Sequence, residues 1–193
     1  MKKLFNQLKK DYQAQTKMRR LIISQSNEIL HQSKQVIFLL HRYSKNKNQE
    51  ADKLLKEIEE KIKKINLTLK QFPELKYNGA YQAAREEYLE AKLFWQVLTV
   101  KKIKPLKNLE LEAADYLAAS CDLTGELVRK MILLATENKF EQGKEIKEII
   151  TEIVQELTQF DLTGYLRHKY DEAKRNLKKA EEILYELKLR KIL

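Results

Sequence analysis

An all-α fold of six or so long antiparallel helices, packed as one bundle-like domain over residues 1–193, is what this sequence predicts. Three observations carry that reading. Only four glycines and two prolines interrupt 193 residues, while Leu, Ile, Lys and Glu abound, which is the composition of long helices. Apolar residues recur three and four apart through most of the chain, the period of a helix face. Nowhere do they alternate as on a half-buried strand.

The first helix is expected from near Lys3 to about Tyr43. Its apolar stripe is Ile22, Ile29, Val36 or Ile37, and Leu40, with Ser26 and Ser33 between. Serines on such a stripe mark either a close helix–helix approach or hydroxyls bonded back to the preceding turn. A polar break follows at Ser44 to Gln49. The second helix, Gln49 to Gln71, carries Leu55, Ile58, Ile62, Ile65, Leu69 and Phe72 at bundle spacing. Phe72-Pro73 ends it, since a residue before proline is pushed out of the helical region. The third helix runs from Gly79 to about Lys102 and Pro105 closes its segment. Its two apolar stripes are Ala80, Ala84, Glu87, Ala91, Trp95, Leu98 and Ala83, Glu87, Glu90, Phe94, Val97. The fourth is expected over Leu109 to Asn138. The fifth, Glu141 to Phe160, has Ile146, Ile150, Ile153, Leu157 and Phe160. The sixth, Tyr165 to Lys191, has Leu166, Tyr170, Ala173, Leu177, Ala180, Leu184 and Leu187. Asp-Leu-Thr-Gly occurs at 122–125 and again at 161–164 with no similarity around the copies. The second copy falls at a helix junction, where Thr163 is placed to cap.

Charge narrows the partners. With 38 basic and 28 acidic residues the formal charge is +10, enough to attract nucleic acid or an anionic surface. No run of 18 uncharged apolar residues exists, so no membrane span is expected, and the first residues lack the apolar run of a signal peptide. The single cysteine, Cys121, forms no intrachain disulfide and fits a reducing, cytoplasmic setting.

The chemistry lies in two acidic pairs. Asp122 and Glu126 stand i, i+4 on one face of the fourth helix, beside a core side marked by Leu123, Leu127 and Met131. Glu87 and Glu90 stand i, i+3 within a stripe otherwise made of alanine and aromatics, where an unpartnered carboxylate is costly. If the third and fourth helices pack antiparallel, axes 8–10 Å apart bring the pairs together, with Gly125 allowing a close approach. All-oxygen donors suit Mg²⁺ or Mn²⁺ rather than zinc, and such ions can promote phosphodiester hydrolysis. The alternative is acids paired with some of the many Lys and Arg residues. A di-iron centre would need two Glu-x-x-His motifs, and only Glu28 to His31 matches. Trp95 and Phe94 can stack on bases or fill the core. Arg129, Arg42, Lys34 and Arg20 can meet phosphate or sit in salt bridges.

These residues resemble a family. Glu87-Tyr-Leu-Glu-Ala91, Asp115-Tyr-Leu and Asp122-Leu-Thr-Gly-Glu-Leu-Val-Arg129 are similar to the translin superfamily, in its translin-associated factor X branch. Ser33-Lys34, Val36-Ile-Phe38, Leu40-His-Arg42, Pro73-Glu-Leu-Lys-Tyr77, Leu166-Arg-His-Lys-Tyr-Asp171 and Tyr185-Glu-Leu-Lys-Leu-Arg190 extend the resemblance over about residues 20 to 190. It departs where the family's Ser-Arg-Asp-Ile reads Ser26-Asn27-Glu28-Ile29. It departs again where the family's Gly-Asp-Tyr reads Asn138-Lys139-Phe140, which bears against a nucleotide-binding role there.

The resemblance implies a hollow homo-oligomer, an octamer by the family's habit, that binds single-stranded RNA or single-stranded DNA. It further implies a Mg²⁺-dependent (or Mn²⁺-dependent) endoribonuclease acting on short single strands inside the shell, a stiff duplex being excluded. Glu87, Glu90, Asp122 and Glu126 match the catalytic and metal-holding acids, and Arg129, Arg42 and Lys34 are the nucleic-acid contacts. The competing readings are a binding shell without catalysis and, more weakly, an amphipathic module on membranes or partner helices.

Overall fold

The computed structural model describes residues 1–42, 46–106 and 109–190. Six α-helices follow in order: α1 (Lys2–His41), α2 (Lys47–Leu69), α3 (Gly79–Val100), α4 (Ala113–Thr136), α5 (Phe140–Leu157) and α6 (Gly164–Leu189). A 3-10 turn at Pro73–Tyr77 joins α2 to α3, and no strand occurs among the described residues. The ends expected at Tyr43 and Lys191, and the first two residues of the polar break expected from Ser44 to Gln49, lie outside the described residues. Among those residues no helix is long and apolar enough to cross a membrane.

Local chemistry sets the ends of the helices. The Asn78 side chain accepts from the Ala80 amide (3.0 Å) and starts α3, and Lys101 ends it in the left-handed region (φ 54°). α4 starts at Ala113, four residues later than the pattern suggests. There Glu112 and Asp115 form a reciprocal capping box, with the Glu112 amide donating to Asp115 Oδ2 at 2.9 Å. Thr163 occupies the N-cap position of α6, but its side chain makes no capping bond.

The expected stripe of α1 is buried from Ile22 to Leu40, both serines included. Neither serine hydroxyl has a hydrogen-bond partner among the described residues, so they do not bond back to the preceding turn. α2 buries Leu55, Ile58, Ile62, Ile65 and Leu69, each worth about 2 kcal/mol of transfer free energy. Phe160, expected on the α5 stripe, is exposed. α6 buries fully only Ala173 and Ala180.

Cross-helix contacts give the directions. Lys61 of α2 reaches Glu28 of α1, while Tyr81 and Tyr88 of α3 donate to Asn66 and Glu59 of α2. α2 is therefore antiparallel to both α1 and α3, and α1 and α3 run the same way, with His41 against Phe94 at their C-terminal ends. α3 and α4 also run parallel, not antiparallel. Arg85 meets Asp115 near the two N-termini, and Leu98 shares a cavity with Lys130 and Leu134 near the C-termini. The described parts of the connection, 101–106 and 109–112, lie between the end of α3 and the start of α4. Gln96 pairs both ways with the Lys104 backbone (2.8 and 3.2 Å), and Tyr116 Oη accepts from the Leu106 amide (3.0 Å). α6 follows α4, as Lys169 meets Asp122 and Asn176 meets Thr124. α3 thus sits in the middle, packed on α1, α2 and α4.

Candidate active site

α3 and α4 present their acids to one another about midway along the bundle. Glu87 and Glu90 lie on α3, Asp122 and Glu126 on α4, all four half-buried. Their charges act on one another. Burial is the main reason that Glu90 is pushed up to about 9, and Asp122, Glu87 and Glu126 add to it. Glu87 is raised for the same reason, with the nearby Lys34 ammonium opposing and Asp122 and Glu126 reinforcing. Parallel helices serve this arrangement as well as antiparallel ones, because each pair occupies only about one turn and needs only the right height.

The two pairs differ in their partners. Among the described residues Glu87 and Glu90 have no hydrogen bond or salt bridge. Asp122 is held by the Lys169 ammonium of α6. Glu126 is held by His41 Nε2 of α1 at 2.5 Å, with Arg129 Nη1 at 3.7 Å. Lys169 is itself part-buried. It lies 3.7 Å from the buried Glu86 carboxylate and 5.0 Å from the centroid of the Tyr165 ring, and the Tyr165 hydroxyl donates to Glu86 at 2.7 Å. Burial works against its charge, yet its bonds to Asp122 and Tyr165 prevail and its pKa is raised.

A hard divalent ion fits this donor set by chemistry: four carboxylates, two of them in no salt bridge among the described residues, one held protonated at neutral pH by burial. As they stand, no three His, Cys, Asp or Glu side chains among the described residues are gathered for an ion, and Asp122 and Glu126 are engaged by Lys169 and His41. Lys169 and His41 hold the places that an ion would contest.

Of the phosphate candidates, Arg129 and Lys34 are exposed beside the cluster. Arg42 lies at the end of α1 with its guanidinium 5.1 Å from the Phe38 centroid, and Arg20 is exposed and far along α1. Phe94 is fully buried and belongs to the core. Trp95 is partly buried, with Lys92 against its ring and its Nε1 donating to the Asn48 carbonyl (3.3 Å). His31 is exposed and bonded to Gln35. Gly125 does not mediate the meeting of the acids: a Cβ there would meet Asn176 of α6 at 3.5 Å, an ordinary contact.

The residues missed by periodicity are His41, Glu86, Tyr165 and Lys169. They complete the cluster from three helices, and only His41 had a local signal, as the next residue after a buried Leu40.

This is an all-α bundle whose central pair of parallel helices carries a converging set of carboxylates bordered by basic side chains. The chain belongs to the Translin family, whose sequence pattern matches residues 17–191. It is 29% identical over 143 residues to the Translin-associated protein X homolog of Schizosaccharomyces pombe. That stretch is 68% of this chain and 62% of that protein, so the match spans somewhat less than two thirds of the relative's length. The fold is similar to the crystal structure of AfC3PO, with a TM-score of 0.87 at 22% identity, covering 98% of this chain and 99% of that one. It is similar also to the AfC3PO–duplex RNA complex (0.86, 22%, covering 96% and 97%) and to apo-NeC3PO (0.83, 23%, covering 92% and 94%). At these identities the structural likeness establishes the fold.

Proposed function

We propose that this protein is a Mg²⁺- or Mn²⁺-dependent endoribonuclease of the cytoplasm, acting on short RNA strands as a homo-oligomer, an octamer in the family's manner. The observation that carries the proposal is the convergence of Glu87, Glu90, Asp122 and Glu126 across α3 and α4, with Glu87 and Glu90 in no salt bridge or hydrogen bond among the described residues. Membership of the Translin family and the likeness to a Translin-associated protein X homolog support it. A net charge of +10 supports a polyanionic substrate. AfC3PO has this fold and was solved with duplex RNA, so stiffness of the duplex no longer argues for single strands alone. Single-stranded RNA, and single-stranded DNA as a bound but uncut ligand, remain the proposed partners.

A divalent ion would be held by the four carboxylates, and when bound it supplies Lewis-acid stabilisation of the charge that builds on a phosphodiester during hydrolysis. The chain's own groups do the remaining work. Lys169, held by Glu86 and Tyr165 as well as by Asp122, would keep a positive charge at the edge of the cluster. His41 orients Glu126 from the α1 side. Arg129, exposed one turn beyond Glu126, and Lys34, beside Glu87, are placed to steady the strand's phosphates.

The test is cleavage of an end-labelled single-stranded RNA oligonucleotide with Mg²⁺ or Mn²⁺. We expect cleavage to stop with EDTA and to fall at least 100-fold in Glu87→Ala and in Asp122→Ala, with RNA binding retained. Cleavage that survives chelation, or is unchanged in both variants, overturns the metal assignment. A second reading is a binding shell without catalysis, and it is favoured by the pairing of Asp122 with Lys169 and Glu126 with His41. It predicts salt-dependent RNA binding with no turnover under any divalent ion, and alanine variants that lose assembly instead of activity.

A further inference from the structure

A cavity of about 290 Å³ opens beside the carboxylate cluster, where the end of α1, the start of α2 and the α4–α5 junction meet. Its wall carries His41, Arg42, Lys47, Lys130 and Lys139 against a single acid, Glu137. That acid is already paired with Lys139 at 2.6 Å. Lys47 and Lys130 form no salt bridge among the described residues. Both ammoniums donate to one oxygen, the Leu40 carbonyl, at 3.2 and 3.1 Å.

Capping the negative end of α1 accounts for one of these lysines, not for two. Two ammoniums on one carbonyl repel, and Lys130 is buried as well. Burial first, then the neighbouring Lys47, lowers its pKa to about 8. Each ammonium has two further protons to donate, and the carbonyl has no lone pair left to accept them. The N-termini of α2 and α5, whose first turns include Lys47, Asn48 and Gln142 on this wall, have no side-chain cap. Their positive ends add to the excess. Every one of these features is relieved by an anion with several acceptor oxygens.

We propose that this cavity binds a phosphate group, with Lys47 and Lys130 as its principal ligands and Arg42 at its mouth. Its volume lies at the small end of ligand cavities, enough for a phosphate and an adjoining sugar. The position points to a phosphate of an RNA strand. His41 forms part of the cavity wall while its Nε2 holds Glu126, so a strand anchored here passes alongside the four acids. The phosphate site does not depend on whether those acids cut RNA, and it is tested with the divalent ion absent.

The full chain is titrated in EDTA with inorganic phosphate and, separately, with a short single-stranded RNA. Calorimetry measures binding, and the emission of Trp95, the one tryptophan, gives a local signal through its bond to Asn48 on the cavity wall. We expect one phosphate per chain, bound at least 10-fold more weakly in Lys47→Gln and Lys130→Gln and restored in Lys130→Arg. RNA binding should weaken in the same variants, with the slope of log K against log salt shallower by about 0.7 for each phosphate contact removed. Lys47 is only half-buried, at the first turn of α2, so Lys47→Gln reports even if Lys130→Gln fails to fold. Loss of phosphate binding with RNA binding unchanged would assign the cavity to free phosphate. Phosphate binding unaltered in Lys47→Gln and in any folded Lys130 variant overturns the site.

Discussion

Glu90 shows how a single carboxyl ties the site to stability. Below about pH 4.5 it is protonated in the folded and the unfolded chain alike and costs nothing. Above that the unfolded chain ionises, while the fold holds the proton up to about pH 9 because the group is buried among other acids. Folding stability is therefore lost progressively across that window, by up to about 1.4 kcal/mol per pH unit, or at most about 3.4 kcal/mol by pH 7. Glu90→Gln removes the penalty. In EDTA it should raise the thermal midpoint by several degrees at pH 8 and leave it nearly unchanged at pH 4. Thermal unfolding at the two pH values checks this, and an equal effect at both would show that Glu90 carries no buried-charge cost. The wild-type midpoint at pH 8 should climb on adding Mn²⁺ while that of Glu90→Gln climbs less, since a bound ion relieves the same penalty.

At the scale of helices, α4 is fixed at its start by Asp115. This one carboxylate accepts from the Glu112 amide and pairs with the buried Arg85, whose Nη2 donates to Oδ1 at 3.1 Å while Nε lies 2.9 Å from Oδ2 without hydrogen-bond alignment. Asp115→Ala removes a cap, worth about 1 kcal/mol, and strands a buried guanidinium, worth about 3–5 kcal/mol. Arg85→Met added to it should recover a good part of the loss, because no charge is then left unpaired. Urea unfolding of the single and double variants measures both. A double variant no more stable than Asp115→Ala would place the energy in the cap alone. The capping box is local, yet the pattern of apolar residues alone started α4 at Leu109 and passed over it. α2 and α5 were legible because each has one apolar face, and the period of that face shows in the sequence. α3 was read less well. It is buried nearly all round, Tyr81, Tyr88, Leu89 and Leu93 included, so no single stripe describes it and the more deeply buried Glu86 passed unnoticed beside Glu87. The four acids were legible as residues, since a carboxylate in an alanine and aromatic stripe stands out. Their partners were not, because Lys169 lies 47 residues from Asp122 and His41 lies 85 from Glu126. No local period encodes such pairs. The parallel run of α3 and α4 is also silent in a helical pattern, since it is set by a non-helical connection between them.

The whole molecule carries apolar surface that its own bundle does not cover. α1 has 40 residues, about 60 Å of helix, whereas the next longest, α6, has 26. The excess is at the N-terminal end, where residues 1–14 are exposed throughout. Leu4, Leu8 and Tyr12 lie there at i, i+4, i+8 with Phe5 beside them, on one face and all more than half exposed. A contiguous apolar face of this kind marks an interface, and in a chain proposed to assemble with itself the economical occupant is another copy. Leu4→Asp combined with Leu8→Asp should shift the assembly toward smaller species in sedimentation velocity. The helical circular-dichroism signal should stay, because these side chains reach no part of the core. The net charge of +10 sets copies against each other, so the variant's dissociation should be most complete at low salt and partly reversed near 0.5 M, where the Debye length falls to about 4 Å. Unchanged sedimentation of the double variant at every salt concentration would move the interface elsewhere, with the exposed Ile132, Tyr185 and Leu189 on α4 and α6 as the next surface to substitute.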